Sequence, residues 1–374
     1  MTSSPSSLQR TTAPFRADHV GSLLRTETIK KARLQHTAGV ITAEQLREIE
    51  NEEIRRIAAK QEELGLQSIT DGEFRRAWWH FDFLENLDGV EAFEAQQGIQ
   101  FHGVTTKPRG IKVVDKIDFT GHPHLEDYKF LHSVVSPDRT AKMTIPSPNM
   151  LQFRGQIGTD LYSDSDVLLN DLGLAYQKAL RAFYDEGCRY LQLDDTSWAA
   201  FFSDDAKQKL RAEGKDPDKM LADSVKLINL AVANRPDDMV ITMHICRGNF
   251  RSTWTASGGY EGAADAILDQ LNLNGLFMEF DDERSGSLDV LKHVKRKDLQ
   301  LVLGLITSKH GELESKDDIK RRIDQATRYV NLDQLCLSPQ CGFASTEEGN
   351  LLTEEQQWDK LRHVIEIAQD VWNE

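Results

Sequence analysis

The stretch LNDLGLAYQKALRAFYDEGCRYLQLDD, residues 169–195, decides the fold class of this chain. Its first part has apolar residues at helical spacing, and Gly187 ends that pattern. The short apolar run 189–193 follows and leads directly into Asp194 and Asp195. A helix followed by a short apolar strand that ends in acidic residues is one unit of a parallel α/β fold.

The same order of elements repeats toward the C-terminus and is also present near the N-terminus. Apolar strands are predicted at 65–70, 239–243, 275–278, 299–306 and 335–339, and helices at 43–63, 217–233, 262–271, 288–295, 316–330 and 353–372. Thr42 and Gln45 form a capping box that begins the first of these helices. The pattern predicts a (β/α)8 TIM barrel, a fold that reaches the length of this chain as one unit.

Three parts of the chain depart from this repeat. Residues 1–12 are rich in Ser and Thr, and we expect a disordered tail there; residues 13–374 are expected to form the single barrel. Residues 14–22 are expected to form a short strand that enters a glycine-containing loop. Around 74–162 no barrel unit is evident, and several short alternating runs predict a β-rich insertion over the C-terminal mouth of the barrel, where such insertions often act as lids.

The composition excludes several classes of partner. A net charge of -15 opposes binding to a nucleic-acid backbone, which attracts clustered Lys and Arg. No apolar stretch is long enough to cross a bilayer. Four cysteines are too few for a secreted disulfide scaffold, so a reducing, cytoplasmic setting is expected. A small-molecule substrate fits best, and the sequence permits a homo-oligomer.

A set of metal-ligand residues falls at the ends of the predicted strands. His244 and Cys246 lie two residues apart after one apolar run and therefore share a face. Glu279 and Cys341 follow two later runs, although Asp281 and its acidic neighbours crowd Glu279 and one of them could ligate instead. Active sites of such barrels lie after the strands, and thiolates select zinc over magnesium or calcium. The pattern predicts a mononuclear zinc site; a buried histidine beside a packed free cysteine is the alternative for the first pair alone.

The ligand set indicates the kind of chemistry. Zinc with two thiolates and one carboxylate is electron-rich and suits a substrate thiol held as a thiolate, so S-alkylation of a small thiol is favoured over hydrolysis. Glu73 and Asp194, at the same mouth, could hold the ammonium group of an amino-acid substrate, and the turn at Ser22 could hold a carboxylate. Trp78 and Trp79 could stack on a flat donor or simply pack in the lid.

Six segments together resemble a known family. They are RADHVGS at 16–22, TDGE at 70–73, LQLDD at 191–195, HIC at 244–246, ME at 278–279 and SPQCG at 338–342. In this order they resemble the catalytic barrel of cobalamin-independent methionine synthase, and the likeness is greatest to the short single-barrel members. The match runs from Phe15 to about Gly342, and its zinc motifs are the most specific part.

The resemblance implies a zinc-containing (β/α)8 barrel that transfers a methyl group to homocysteine to give methionine. By position it implies that the homocysteine amino-acid group is held by Ser22, Glu73 and Asp194, the last also counted among the catalytic residues. Lys309 or His310, after a barrel strand, would be the polar or acidic partner in the transfer. The implied zinc ligands are His244, Cys246, Glu279 and Cys341.

The departures from the family concern the methyl donor. The chain has no room for the second barrel of the full-length enzyme, an acidic residue is replaced within 196–200, and the tryptophan that stacks on the pterin is missing near 144–151. The donor, methylfolate or another compound, is therefore left open. A zinc-dependent alkyltransferase acting on another thiol, such as an epoxyalkane:coenzyme M transferase, is the main alternative, and a non-catalytic zinc-binding protein is a further one.

Overall fold

The computed structural model describes residues 10–373. Its strands are β1 (Ser68–Ile69), β2 (Asp88–Phe93), β3 (Gln100–Phe101), β4 (Val104–Thr105), β5 (Gly110–Asp118), β6 (Thr140–Pro146), β7 (Gly155–Ile157), β8 (Tyr190–Asp195), β9 (Val240–Ile245), β10 (Gly275–Glu279), β11 (Gln300–Ile306) and β12 (Leu335–Pro339). Its α-helices are α1 (Glu27–Thr37), α2 (Ala43–Leu64), α3 (Phe81–Leu84), α4 (Pro123–Val134), α5 (Asn149–Arg154), α6 (Ser165–Asp185), α7 (Asp204–Ala212), α8 (Pro217–Ala231), α9 (Lys316–Ala326) and α10 (Glu354–Trp372).

The main sheet is parallel throughout and contains all the predicted strands except the one at 14–22. Its order is β1-β6-β8-β9-β10-β11-β12. Every residue of β8, β10 and β12 is buried, as expected for parallel strands covered by helices on the outer face and by side chains on the inner one. The chain thus has an α/β fold with a curled parallel sheet of the TIM-barrel type.

The predicted strand at 14–22 is reduced to a single bridge between Ala17 and Leu337. The segment still lies between β12 and the loop after β1, because Asp18 N donates to Leu337 O at 3.0 Å and Leu23 N donates to Gly72 O at 3.0 Å. The Asp18 carboxylate accepts hydrogen bonds from the backbone N–H groups of Phe15 and His19. Those local bonds compete with a strand ladder and keep the pairing short.

The predicted helices form with small shifts, and two of them differ in type. The capping box of Thr42 and Gln45 is present, with both reciprocal bonds. The segment predicted as a helix at 262–271 is a 3-10 turn at Glu261–Ala263 and a π-helix at Ala266–Gln270. Gly262 lies against the backbone of Phe201 there, with the Cβ position 2.2 Å from its carbonyl oxygen, so a regular helix does not continue. The segment predicted at 288–295 is also a 3-10 helix, Leu288–His293.

The predicted insertion around 74–162 is not continuous. It contains β6, which pairs in parallel with β1 and β8 in the main sheet, and α4. β6 is not evident from the sequence because Lys142 interrupts its apolar pattern. In the structure this lysine is buried, pairs with Asp18 at 3.2 Å and lies 4.2 Å from the Phe277 ring centre. The rest of the interval does contain β-structure outside the main sheet: the β2-β5-β7 sheet and the β3-β4 hairpin.

Two further expectations concern the ends of the chain and membranes. Residues 1–9 of the predicted disordered tail lie outside the described residues, whereas Arg10 Nε donates to Pro14 O at 2.8 Å. Within the described part of the chain, none of the helices combines the length and apolar character needed to cross a bilayer.

Candidate active site

Four predicted metal ligands meet at the carboxyl ends of the main-sheet strands. His244 lies near the end of β9, Glu279 ends β10, Cys246 follows β9 and Cys341 follows β12. One ligand atom from each residue lies within 4.8 Å of the others, and all four side chains are buried. The sulfur atoms of Cys246 and Cys341 are 3.6 Å apart. Parallel pairing brings these residues, distant in the sequence, into one group.

The donor atoms of this group fit zinc. In a tetrahedral zinc site, two sulfur ligands that each lie about 2.3 Å from the metal are about 3.8 Å from each other. This distance is close to the observed sulfur separation. Among residues 10–373, neither ring nitrogen of His244 finds a hydrogen-bond partner, and the same holds for Glu279 Oε2. Buried polar atoms are rarely left unpaired. Unpaired nitrogen and oxygen atoms beside two thiols are what a metal site needs.

Tyr260 and Arg247 hold the backbone and side chain of Glu279 in place. Glu279 N donates to Tyr260 Oη at 2.7 Å, and Arg247 donates to the same hydroxyl at 2.6 Å. Arg247 also donates to the carbonyl oxygens of Gly258 and Ser285. The Glu279 Oε2 atom lies 3.9 Å from Arg247 and 3.9 Å from Arg284. Two arginines therefore face the carboxylate while its oxygen stays free for another ligand.

The thiols and the carboxylate of the group have shifted pKa values. The hydrogen bond from Cys246 and the nearby charge of His244 lower the pKa of Cys341 well below its usual value despite burial. The pair therefore favours the thiolate form of Cys341 more than burial alone would. Burial raises the pKa of Glu279, since a buried carboxylate lacks solvent to stabilise its charge.

A pocket opens beside the metal group and is lined by all three predicted substrate residues. It holds about 660 Å³ of space outside protein atoms, including its open mouth. Glu73 Oε1 accepts from Thr144 at 2.9 Å, while Glu73 Oε2 is buried without a hydrogen-bond partner in the described chain. Asp194 accepts from Gln192 at 2.7 Å. Two carboxylates thus line the same pocket as His244 and Cys341.

Local structure aims both carboxylates and shifts their pKa values upward. Glu73 has a positive φ of 59°, stabilised by a hydrogen bond from its N–H to Asp71 Oδ1 at 2.8 Å. Burial raises the pKa of Glu73, and burial together with the charge of Glu73 raises the pKa of Asp194 to about 7, against the effect of His244. Arg76 lies 3.6 Å from Glu73 Oε1 and offsets part of its charge, whereas Glu73 Oε2 has no hydrogen-bond partner in the described chain and can accept a further cation.

Ser22 lines the pocket beside the Cys341 loop. Its hydroxyl accepts from Ala344 N at 3.4 Å, and Phe343 N donates to Ser22 O at 3.0 Å. A Cβ at Gly342 would lie 1.9 Å from the Ser22 Oγ, so only glycine fits there. The predicted N-terminal turn therefore packs directly on the loop that carries a candidate ligand.

The structure treats Lys309 and His310 differently. Lys309 Nζ is buried and pairs with Asp281 at 2.9 Å, so the acid that competed with Glu279 as a ligand is bound elsewhere. The charge of Lys309 reaches the metal group and acts on both Glu279 and Cys341. His310 is exposed and pairs with Glu312 at 2.9 Å. The structure does not bring His310 to the pocket.

Several residues that line the pocket have no recognisable signal in the sequence. Trp78 and Trp79, the aromatic pair of the expected lid, both lie in the pocket wall, and Trp79 N donates to Ser345 O, in the loop after Cys341, at 3.0 Å. The β3-β4 hairpin contributes Phe101, whose ring lies 5.3 Å from Phe250. The other lining residues include His80, Arg154, Asn249 and Thr255. The tryptophan pair was the only sequence signal for this side.

Comparison with known proteins identifies the family. Residues 15–370 match the profile of "Cobalamin-independent synthase, Catalytic domain". The chain belongs to this family. The match covers most of the chain and confirms the resemblance seen in the sequence. The family contains methyltransferases, as its named relatives show.

Three similar proteins place the chain within the family. It is 67% identical to the uncharacterised protein YxjG of Bacillus subtilis strain 168, over 98% of this chain and 97% of that protein. A crystal structure from Listeria monocytogenes, provisionally named a vitamin-B12-independent methionine synthase, is 49% identical with a TM-score of 0.81 and covers 98% and 100% of the two chains. A 5-methyltetrahydropteroyltriglutamate–homocysteine methyltransferase of Bacillus cereus strain AH187 is 21% identical over 94% of this chain, which spans 42% of that protein.

Proposed function

We propose that this protein is a zinc-dependent methyltransferase that transfers a methyl group to the thiol of homocysteine and forms methionine. The observation that carries the proposal is the juxtaposition of two features in one pocket. A buried His, Cys, Glu, Cys group adjoins two buried carboxylates, and one oxygen of Glu73 has no hydrogen-bond partner among the described residues. A thiol and an ammonium group within one small molecule would satisfy both features.

The metal group supplies the means to activate a thiol. His244, Cys246, Glu279 and Cys341 would hold the zinc ion. Zinc, when bound, lowers the pKa of a thiol from about 8.5 so that the nucleophilic thiolate is present at neutral pH. The thiol proton is released, a carbon–sulfur bond forms to the methyl carbon, and the bond from that carbon to the donor breaks.

The chain's own residues orient the acceptor. Glu73 and Asp194 would pair with the ammonium group, which removes the cost of two neighbouring buried carboxylates. The N-terminal turn at Ser22 lies beside the Cys341 loop and would hold the acceptor carboxylate. Holding both ends of the amino-acid group fixes the direction in which the sulfur points.

Lys309 and the segments around the pocket would support the reaction without touching the acceptor. Lys309, paired with Asp281, would stabilise the negative charge of the ligand group rather than touch the substrate. We assign residues 13–374 to one barrel unit whose β-rich segments cover the mouth, since the β3-β4 hairpin reaches the pocket at Phe101. A reducing, cytoplasmic setting suits the four free cysteines.

Binding of homocysteine to zinc-loaded protein tests the proposal. Calorimetry in buffers of different ionisation enthalpy should show release of about one proton near neutral pH, and X-ray absorption at the zinc edge should change. A panel of methyl donors should then yield methionine with at least one donor. No proton release, with an unchanged absorption edge, would contradict the thiolate mechanism.

A comparison of thiols separates this proposal from alkyl transfer to another thiol. Coenzyme M carries a sulfonate and no ammonium group, so Glu73 and Asp194 should disfavour it relative to homocysteine. Tighter binding of coenzyme M than of homocysteine would favour the alkyltransferase. If neither thiol binds to the zinc ion, the result would favour a zinc-binding protein without catalytic activity.

A further inference from the structure

The loop that carries Glu73 has an unusual backbone. Gly72 and Glu73 have φ values of 64° and 59°, so two consecutive residues lie in the left-handed region. That region is unfavourable for residues other than glycine, and such a residue stays there only when surrounding contacts hold it. Within the loop, Glu73 N donates to Asp71 Oδ1 and Arg76 N donates to Glu73 O. Contacts from other segments are needed to fix the loop relative to the rest of the pocket.

Arg25 supplies contacts to this loop from another segment. It follows the N-terminal turn in the sequence and is buried, with 3% of its surface exposed. Its guanidinium donates to Gly72 O at 3.2 Å and to Arg76 O at 3.1 Å. These two carbonyl groups lie on either side of Glu73 along the chain. Arg25 therefore holds the left-handed turn at both of its ends.

The same guanidinium also reaches two other segments beside the acceptor pocket. It donates to Leu23 O at 2.9 Å, next to Ser22, and to Ala344 O at 3.1 Å, in the loop after Cys341. Backbone carbonyl groups from three segments thus share one cation. A guanidinium carries five N–H donors in a fixed fork, whereas a lysine ammonium is a point charge on a flexible stem. Arginine is therefore the residue type that can fix the relative positions of three segments.

The charge of Arg25 suits this position. Burial lowers the pKa of Arg25 to about 10, with the charge of Arg33 acting in the same direction and that of Glu73 in the opposite one. Arg25 is therefore still protonated at neutral pH. In return, its charge acts against the rise that burial causes in the pKa of Glu73. Arg25 thus favours the ionised form of this carboxylate while Oε2 stays without a hydrogen-bond partner in the described chain.

We propose that Arg25 is a positioning residue for acceptor recognition, which fixes the Glu73 carboxylate at a set distance from the Cys341 side of the metal group. The inference rests on the proposed function, since it concerns how the acceptor is recognised. In an amino-acid thiol a short carbon chain fixes the separation of sulfur and nitrogen, so the two groups that bind them must keep a matching distance. Arg25 does not line the pocket, so it acts through Glu73 and not on the substrate.

The test compares homocysteine with 4-mercaptobutanoate, which lacks the amino group, on zinc-loaded full-length protein. Calorimetry measures both affinities. Arg25→Lys keeps the charge but cannot bridge the three segments, so it should weaken homocysteine binding by about tenfold and 4-mercaptobutanoate binding far less. Zinc content should stay unchanged. Arg25→Gln, a neutral residue that can still donate to a carbonyl group, gives the same comparison if Arg25→Lys does not fold.

Arg16→Lys is the matched control. Arg16 is also buried and also donates to backbone carbonyl groups, those of Leu332, Asp333 and Leu335, at the opposite end of the main sheet. This variant should lose thermal stability as Arg25→Lys does, but it should leave the ratio of the two thiol affinities unchanged. A ratio that changes in Arg25→Lys alone separates positioning from a general loss of stability.

A double variant decides whether Arg25 acts through Glu73. If it does, Arg25→Lys combined with Glu73→Gln should bind homocysteine no more weakly than Glu73→Gln alone, because the carboxylate that Arg25 positions has already lost its charge. Residues that act through one shared contact give effects that do not add. Losses that add in the double variant would show that Arg25 acts elsewhere and would overturn the assignment.

The outcomes distinguish this inference from the proposed function. If the wild-type protein does not prefer homocysteine to 4-mercaptobutanoate, the proposed acceptor is wrong, and the role of Arg25 in its recognition is wrong with it. If the wild-type protein prefers homocysteine and Arg25→Lys keeps the same preference, the proposed function stands and only the role of Arg25 is wrong. Equal losses for both thiols in Arg25→Lys would also overturn it, since a purely structural role predicts that result.

Discussion

The metal side of the pocket and its outer wall are built in different ways. The metal side is carried by β9, β10 and the residues just after β9 and β12, where ladder hydrogen bonds to neighbouring strands fix each position. The outer wall, formed by Trp79, His80 and Arg154, is carried by the end of α5 and by the segment before α3, which pairs with the main body through one antiparallel bridge, Trp78 to Thr346. Rigid strands hold the reactive group, and a less regular segment is used for recognition. Substitutions in the two regions should therefore have different effects.

The largest effect should come from the metal side. Cys341→Ser should remove zinc. It should reduce methyl transfer by more than the 10–100-fold that is typically lost when a residue that hydrogen-bonds to a metal ligand is replaced. Thermal stability should also fall, because metal binding to the native state adds to the folding free energy. Elemental analysis and a thermal melt measure the two effects. Cys336→Ser, in the buried part of β12, is the control and should retain zinc. Full zinc occupancy in Cys341→Ser would remove this residue from the site.

The next effect should separate substrate binding from metal binding on the same side. Glu73→Gln should weaken homocysteine binding by about tenfold or more, since truncating one partner of a buried ion pair costs roughly 2–5 kcal/mol. Zinc content should not change. The affinity for 4-mercaptobutanoate, which is homocysteine without the amino group, is the comparison. Equal losses for both thiols would show that Glu73 does not hold the ammonium group.

A smaller effect should come from the residue that positions Glu279. Tyr260→Phe removes the hydroxyl that accepts from Glu279 N and Arg247, so zinc affinity should fall by about tenfold. Competition with a chelator measures it. Tyr176→Phe also deletes a buried tyrosine hydroxyl, one that donates to Pro146 O, and should leave zinc affinity unchanged. Similar zinc affinities in the two variants would mean that Tyr260 only packs.

The sequence predicted the metal side well because its residues follow one rule. Asp194, His244, Glu279 and Cys341 each stand at or just after the end of an apolar strand, and parallel strands end at one edge of a sheet. Their positions at the ends of predicted strands were therefore enough to predict that the four side chains lie close together. His310 obeyed the same rule but points to Glu312 at the surface. Strand periodicity places a residue near the mouth, but the loop conformation decides whether it faces the pocket.

The outer wall could not be predicted because nothing periodic marks it. His80 and Arg154 lie far apart in the sequence and are brought together by a loop and a six-residue helix. β6 was missed for a related reason: Lys142 looks like a surface residue until its buried partner Asp18 is known. In both cases a charged or polar side chain depends on a contact that is distant in the sequence. Local patterns carry no information about such contacts.

The smallest effect should be a pH dependence on the acceptor side. Burial, with the charge of Glu73, raises the pKa of Asp194 to about 7 from the ordinary 3.8, against the effect of His244. Below this pH Asp194 is protonated and attracts an ammonium group less, so ligand binding should strengthen as pH rises through 7. Methionine is the best probe because it has the ammonium group but no thiol to titrate. We expect a several-fold gain in methionine affinity between about pH 6 and 8, in proportion to the charged fraction of Asp194.

The same shift has the opposite consequence for stability. Because the folded pKa lies above the unfolded one, the native state binds more protons between about pH 4 and 7, and the contribution of Asp194 to stability falls as pH rises through that window. Binding and stability should therefore change in opposite directions over about pH 6–7. Asp194→Asn should flatten both profiles, whereas Arg154→Gln on the outer wall should leave both unchanged. If the Asp194→Asn protein kept the wild-type pH profile for methionine, the titrating group would lie elsewhere and Glu73 would be the first to test.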